Sequence, residues 1–411
     1  MRCSRLVFAV LVLVALNGRA AAKIEALAPI AGEAVQLVPD AQKRVMLLPT
    51  PAERAELLAK DKSLRADALW RKAKPLTLKW RADGTVFGPW KVEIGKSPDL
   101  AGARVWYFPV RKIDETTGLE AGGSEPACEA AAEIPMANLE IARDYYWRVT
   151  ARAPCGPKCG PRHDCRKRRR TVSSGIAAFR TEDFAPRWIA VEGRVGNIRD
   201  FGGRRTADGR RVKQGMAYRG QGLNDNSPSG EAPGPNRMTV EDVKYLTGVL
   251  GVCTDLDLRG ERETAGMKES PLGPGVAFVQ RSSPSYGGIF QEDGMKAMAE
   301  NFRVFCDGKN YPVYFHCIGG VDRTGSLAYV MNAVLGVARH EIETDWEASF
   351  YPDIPDAKPG KKSWRRRSDF DEGFAKYGKE GDSLATRVER YLLDCGVVKE
   401  EIEAFRSLML E

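Results

Sequence analysis

The run His316-Cys317-Ile318-Gly319-Gly320-Val321-Asp322-Arg323-Thr324-Gly325 constrains this chain more than any other feature. The apolar stretch Tyr311-Pro312-Val313-Tyr314-Phe315 ahead of it reads as a short buried strand. Behind it, Leu327, Val330, Met331, Val334 and Leu335 recur at helical spacing. The expected order is strand, tight loop, helix. That order aims several backbone N–H groups and the positive end of a helix dipole at one point, which suits a phosphate dianion.

Each residue type in the loop has a chemical use. A free thiol titrates at about 8.5 and is mostly protonated at neutral pH. A helix N-terminus and a nearby guanidinium both favour the anion, so Cys317 is expected to be a reactive thiolate. Arg323 offers a planar fork for two phosphate oxygens, which Lys cannot match. Gly319 and Gly320 let the backbone approach an anion closely, and the Thr324 hydroxyl can hydrogen-bond the sulfur and stabilise it as a leaving group. The implied reaction is covalent, with Cys317 attacking phosphorus and water releasing the phosphocysteine. The plain alternative is a buried Cys and His closing a core strand. Six specified positions in register at one strand-to-helix junction argue against it.

The segment resembles the signature loop of the Cys-dependent protein tyrosine phosphatase superfamily. An Asp ahead of the Arg is typical of its atypical bacterial and fungal branch, which also includes lipid phosphatases. Three further strings resemble that branch in order and spacing: Asn197-Ile198-Arg199-Asp200-Phe201-Gly202-Gly203, Ala217-Tyr218-Arg219-Gly220 and Asp255-Leu256-Asp257-Leu258-Arg259-Gly260-Glu261-Arg262-Glu263. The likeness spans about residues 186–411. It implies that Cys317, Arg323 and Thr324 act in catalysis and that His316, Ile318, Gly319, Gly320 and Val321 form the substrate cradle, with no cofactor and no metal. Arg219 is a candidate substrate contact, and Arg199 a contact or brace of the loop. Val321 stands where many members carry Lys. The missing charge leans the expectation from a phosphoinositide or inositol phosphate toward phosphotyrosine protein or a small phosphate ester.

The leaving oxygen needs a proton. Asp322, in the loop itself, is the first choice for the acid. Asp257 is the second, near the carboxyl end of a strand expected over Val252 to Leu258, where ligands of open α/β sheets bind. Its alternative role is as partner to a structural Arg. Asp293 is a distant third.

At the other end of the chain, Arg2 and Arg5 precede an apolar run from Leu6 to Leu16, and Ala20-Ala21-Ala22 supplies small residues before Lys23. This is the pattern of a secretory signal peptide cleaved after Ala22, implying a secreted or periplasmic protein without a stable membrane anchor. The net charge is +8, or +5 once Arg2, Arg5 and Arg19 leave with the leader. That modest surplus favours anionic substrates and does not imply nucleic acid. The densest basic runs are Lys167-Arg168-Arg169-Arg170 and Lys361-Lys362-Ser363-Trp364-Arg365-Arg366-Arg367, read as solvated loops, with the second a candidate for the approach to the site.

Between about Lys74 and Thr181 the texture changes to short alternating runs: Leu76–Trp80, Trp90–Ile94, Arg104–Val110, Asn138–Val149 and Ala177–Thr181. Leu139, Tyr145 and Trp147-Arg148-Val149 resemble the corner of a fibronectin type III domain, with Trp80 as its core Trp. Such a module implies adhesion, spacing or contact with a protein or surface. Of nine cysteines, Cys155, Cys159 and Cys165, with His163, sit in a Gly/Pro/Arg-rich insert whose spacing fits no common zinc template. A disulfide is the better reading in an oxidising compartment, with Cys128 available for a second. Cys253, Cys306 and Cys395 read as core, with a resolving thiol for Cys317 as the alternative.

Strands are expected at 216–219, 252–258, 276–281 and 312–316. Helices are expected at 239–250, 292–306, 324–338, 340–350, 383–395 and 398–410. This alternation predicts an α/β fold, a phosphatase-type sandwich with a mostly parallel central sheet flanked by helices. A smaller all-β fibronectin type III-like sandwich precedes it. The expected layout is leader 1–22, a lead-in 23–73, β-sandwich 74–182 and catalytic domain 183–411. The alternative function is a phosphate-recognising adhesion module without turnover. An inactive binder of this kind usually lacks the Cys, the Arg or the hydroxyl, and all three are present.

Overall fold

The computed structural model describes residues 23–65, 72–83, 86–108, 127–153, 170–227, 234–350 and 368–411. The leader, Cys3, the cysteine insert with Cys155, Cys159, His163 and Cys165, and the basic stretches 167–169 and 361–367 lie outside them, as does the side chain of Cys128. The chain forms two compact units. One gathers the described residues up to Ala31 with Thr77–Ala132 and Tyr145–Phe179, and the other gathers Gly32–Leu76, Glu133–Asp144 and Arg180–Glu411.

The lead-in holds β1 (Ile24–Ala28), β2 (Ala34–Val35), α1 (Asp40–Met46) and α2 (Pro51–Lys60). The start of α2 follows from its sequence. The Thr50 hydroxyl accepts from Glu53 N–H at 3.3 Å, Glu53 accepts from Thr50 N–H at 2.9 Å, and Pro51 needs no donor at the first helical position. From Gly32 onward the lead-in is part of the larger unit, where Val38, Val45, Met46, Leu58 and Leu64 share a core with Trp188 and Ala348.

The smaller unit is built on β3 (Leu76–Asp83), β4 (Phe87–Gly95), β5 (Arg104–Phe108), β6 (Ala127–Ile134), β7 (Asp144–Ala153), β8 (Arg170–Ser173) and β9 (Ala177–Thr181). One sheet runs β1-β3-β6; the other contains β9-β7-β4-β5, with β8 beside β7. Period-two burial of Leu78, Trp80 and Ala82, and of Trp147, Val149 and Ala151, gives each sheet one apolar face. The strand expected at Trp147-Arg148-Val149 lies within β7, which begins at Asp144. Ahead of it, Asn138 takes φ +48° and exchanges hydrogen bonds of 2.9 and 2.8 Å with the backbone of Ala190.

The larger unit continues with β10 (Arg199–Asp200), β11 (Ala217–Gly220), α3 (Val240–Lys244), β12 (Thr254–Asp257), α4 (Glu261–Thr264), β13 (Ala277–Gln280), α5 (Glu292–Arg303), β14 (Val313–His316), α6 (Asp322–Val334), α7 (Arg339–Glu347), α8 (Ser368–Ala375), α9 (Leu384–Asp394) and α10 (Lys399–Met409). The sheet order is β10-β11-β14-β12-β13. All neighbours are parallel except β10, which runs antiparallel at the edge. Both faces are covered, as a parallel sheet requires. Phe315 and Leu256 pack with Phe302, Leu327, Val330, Leu392 and Phe405, while Tyr314 and Tyr218 pack with Ile198, Leu246 and Leu250. The helix expected over 239–250 divides instead into α3 and a π-helical turn, Tyr245–Val249.

One contact ties the lead-in to α7. Arg54, fully buried, donates Nε to Glu347 Oε2 at 2.5 Å and Nη2 to Glu343 Oε2 at 3.4 Å. Asp345 lies between those two glutamates on the same helix.

Candidate active site

β14 is central, and its parallel register sets His316 level with Gly220 on β11 and Asp257 on β12. The carboxyl ends of three strands therefore meet at one edge, and the 317–321 loop leaves from there. Gly320 turns the loop at φ +67°, and a Cβ at this position would lie 2.2 Å from the Gly220 carbonyl oxygen. Only glycine fits both constraints. The loop carbonyls are held away from the cradle. Asn197 Nδ2 donates to Gly319 O and Gly320 O at 3.1 and 3.2 Å, Arg219 Nη2 donates to Gly320 O at 3.0 Å, and Gly222 N–H donates to Ile318 O at 3.1 Å.

With the carbonyls so engaged, the N–H groups of Gly320 and Thr324 turn toward the Cys317 sulfur. Burial opposes ionisation of that thiol, which is 2% exposed. The Thr324 hydroxyl and N–H, the Arg323 charge and the Gly320 N–H outweigh burial and hold Cys317 below its ordinary value. Thr324 Oγ1 is buried with no other partner among the described residues, so its proton is left for the sulfur. No side chain caps α6 at Val321. Its first-turn N–H groups remain for an anion.

At the rim, Ile318 is exposed, and Arg323 is held in a fork by Glu263, Nη1 to Oε2 at 2.6 Å and Nη2 to Oε1 at 2.9 Å. Asp322 opens α6 half-buried and accepts a hydrogen bond from the Tyr286 hydroxyl. Asp257 is different. It is fully buried, Arg259 Nε lies 3.0 Å from both its oxygens, and Arg259 Nη2 lies 2.6 Å from Oδ2. Burial raises its carboxyl, but His316 and Arg259 prevail and keep it below the ordinary value. In this arrangement Asp257 pairs with Arg259 and lies beside His316.

Beneath the loop lie two charge clusters. In the first, Asp345 accepts from Arg199 Nε at 2.8 Å, Arg204 Nη2 at 2.7 Å and Arg219 Nη1 at 2.7 Å. Burial works against that carboxylate, yet three guanidiniums hold it far below the usual range. Ser349 Oγ receives Asn197 Nδ2 and Arg199 Nη2, each at 3.1 Å. Arg199 and Arg219 are 0% and 1% exposed. Both side chains brace the loop: Arg219 holds Gly320 O directly, and Arg199 donates to Asn197 Oδ1, whose amide holds Gly319 O and Gly320 O. In the second cluster, His316 Nε2 lies 3.0 Å from Asp255 Oδ1, and Nδ1 lies 3.8 Å from Asp257 Oδ1 and 3.1 Å from Cys317 O. Burial disfavours the cation, but Asp257 and Asp255 push the imidazole up to about 9. His316 thus lies buried behind the loop, between the carboxylates of Asp255 and Asp257.

Residues 190–411, more than half of the chain, match the profile of the tyrosine phosphatase family. The chain belongs to that family. It is 30% identical over 190 residues to a candidate tyrosine-protein phosphatase of Cupriavidus necator, an alignment covering 38% of this chain and 64% of the relative. Among solved structures it is similar to the core catalytic domain of the PP-IP phosphatase SIW14 from S. cerevisiae, crystallised with citrate. That likeness has 14% identity and a TM-score of 0.23, covering 36% of this chain and 84% of the other.

For a member of the tyrosine phosphatase family, three parts of the site escaped the sequence reading. Glu263 closes the third motif string but was given no role. Asp345 and Ser349 lie on and just after α7, in no motif, and Tyr286 follows β13 in a short turn. Cys306 and Cys395 pack against the main core of the larger unit. Cys253 precedes β12 at the opposite end of the sheet from Cys317, its N–H donating to Pro312 O at 3.0 Å. Burial pushes the Cys306 and Cys395 thiols up to about 12 each, the reverse of activation. Among the described residues, no group of three His, Cys, Asp or Glu is placed to hold a metal, and no helix is long and apolar enough to cross a membrane.

Proposed function

We propose that this chain hydrolyses phosphomonoesters through a phosphocysteine at Cys317, with phosphotyrosine protein as the substrate class. The observation that carries this reading is the convergence on one sulfur of two backbone N–H groups, a hydroxyl and a guanidinium. The Cys317 thiolate bonds to phosphorus as the P–O bond breaks, and the Asp322 proton goes to the departing oxygen. Water then bonds to phosphorus, Asp322 takes its proton, and the S–P bond breaks to return the thiolate. Arg323 and the loop amides hold the phosphoryl oxygens throughout.

Val321 and Ile318 add no charge to that of Asp322 and Arg323 in the loop, which favours a single phosphate over a polyphosphorylated ring. The leader implies export with cleavage after Ala22, and the β unit, read as fibronectin type III-like, acts as a spacer or contact module. Cys317→Ser should abolish turnover of an aryl phosphate with the fold intact; undiminished activity would refute the mechanism. Acid quench during turnover should trap a phosphate-sized mass gain on the peptide containing Cys317. A panel of phosphotyrosine peptides, phosphoserine peptides, inositol phosphates and phosphoinositides tests the substrate class, and preference for either inositol class would overturn it. N-terminal sequencing of the exported protein should begin at Lys23.

A further inference from the structure

Tyr286 stands in none of the motifs, yet its backbone takes φ +54°, a conformation non-glycine residues seldom adopt. The surrounding contacts explain why it persists. Tyr286 N–H donates to Ser326 Oγ at 3.0 Å, and Ser326 Oγ in turn donates to Asp322 O at 2.9 Å. The next residue, Gly287, donates its N–H to Asp369 Oδ2 at 3.3 Å. The ring meets Trp346 edge-on, centroids 5.7 Å apart at 78°. All of this delivers the phenolic hydroxyl onto Asp322 Oδ1.

We propose that Tyr286 is a positioning residue for the phosphatase reaction: its hydroxyl fixes the Asp322 carboxyl over the cradle and sets the pH at which Asp322 surrenders its proton. The proposal rests on the reading of Asp322 as general acid. A hydrogen bond donated to a carboxylate favours the anion and makes the acid stronger. It also removes a rotational freedom that a half-buried Asp otherwise keeps, so the proton is aimed before substrate arrives. Among the described residues, the following charged and titratable groups belong to the elements that meet Asp322. Arg323 follows it on α6 and is neutralised by Glu263 of α4. Cys317 follows β14, Asp257 of β12 is closed by Arg259, and Asp369 of α8 meets the same turn through Gly287. None of these is altered by changing the phenol.

The test is the pH dependence of kcat/KM in the full-length protein, with a phosphotyrosine peptide and with an aryl phosphate whose phenol is a good leaving group. Tyr286→Phe keeps the ring on Trp346 and removes only the donor. The descending basic limb for the peptide should move up by about one pH unit, the scale of one hydrogen bond to a charged group. Its kcat should fall roughly 3- to 10-fold, while the good leaving group loses less than about twofold. Incorporating 3-fluorotyrosine at 286, a stronger donor of the same shape, should move the limb down, and this reading decides if the Phe variant folds poorly. Asp322→Asn is measured alongside. If it removes the limb and Tyr286→Phe leaves the limb in place, Tyr286 has no such role although Asp322 is the acid. If the limb survives Asp322→Asn, the acid assignment falls and the proposal falls with it.

Discussion

The two charge clusters beneath the catalytic loop are built from the same materials and behave differently. Around Asp345, three guanidiniums meet one carboxylate. Around His316, an imidazolium and a guanidinium meet two carboxylates. The first leaves surplus positive charge under a site made for a dianion, and arginine cannot give up its proton near neutral pH to relieve it. The second is balanced, but one of its cations can lose a proton. The lesson is that burial alone does not define a brace. What matters is which member can change charge, and at which end of the pH scale.

The largest expected effect follows from removing the single anion of the first cluster. Asp345→Ala leaves three buried guanidiniums facing one another and should cost about 3–5 kcal/mol in urea unfolding. An unchanged midpoint would mean that the arginines rely on other partners.

Next comes a contrast in pH. The folded imidazole of His316 is raised to about 9, against about 6.5 unfolded. Between those values the native state binds the extra proton, so stability is full below about 6.5 and falls as pH climbs through 9, by on the order of 3 kcal/mol at most. Asp345, held low, contributes above about 3.9 and loses its contribution as pH falls further. His316→Gln should therefore flatten the alkaline side of the stability profile and spare the acid side. Melting curves from pH 3 to 10 on that variant test it, and an undiminished alkaline slope would erase the distinction between the clusters.

A smaller effect is expected from Arg219→Lys. The charge stays, but one point donor cannot serve both Asp345 Oδ2 and Gly320 O. Stability should drop by about 1–2 kcal/mol, and kcat should fall about tenfold with KM little changed, because misaimed loop amides matter most in the transition state. The smallest change is Ser349→Ala, which removes one shared acceptor beneath Asn197 and Arg199 and should cost about 0.5–1.5 kcal/mol.

Local patterns carried much of this in the sequence. Val313 to Phe315 is an unbroken apolar run because both faces of β14 are covered, and the helical recurrence from Leu327 to Leu335 lies within and just after α6, a helix buried all round. The Gly-rich loop between them needs no tertiary knowledge to be seen. Residues whose meaning depends on distant partners were illegible. Asp345 sits in Arg339-His340-Glu341-Ile342-Glu343-Thr344-Asp345, which reads as a polar helix face, and its partner Arg199 is 146 positions away. Asp257 and Arg219 were recognised as belonging to the site, but strand alternation cannot say whether a polar side chain faces a mouth or a covered floor. The composition shift near residue 73 lies close to the change of unit between Leu76 and Thr77, but it carries no sign that the lead-in from Gly32 belongs with the larger unit.

The Arg54 contact with α7 has a consequence for the order of synthesis. Arg54 and Glu343 are 289 residues apart, roughly 15–60 s of elongation at about 5–20 residues per second. For that interval the emerging segment from Val38 to Leu64 carries an apolar stripe and a cation whose counter-ions have not yet been made. Whatever receives the nascent chain must shelter that stripe until nearly the last seventh of the polypeptide appears.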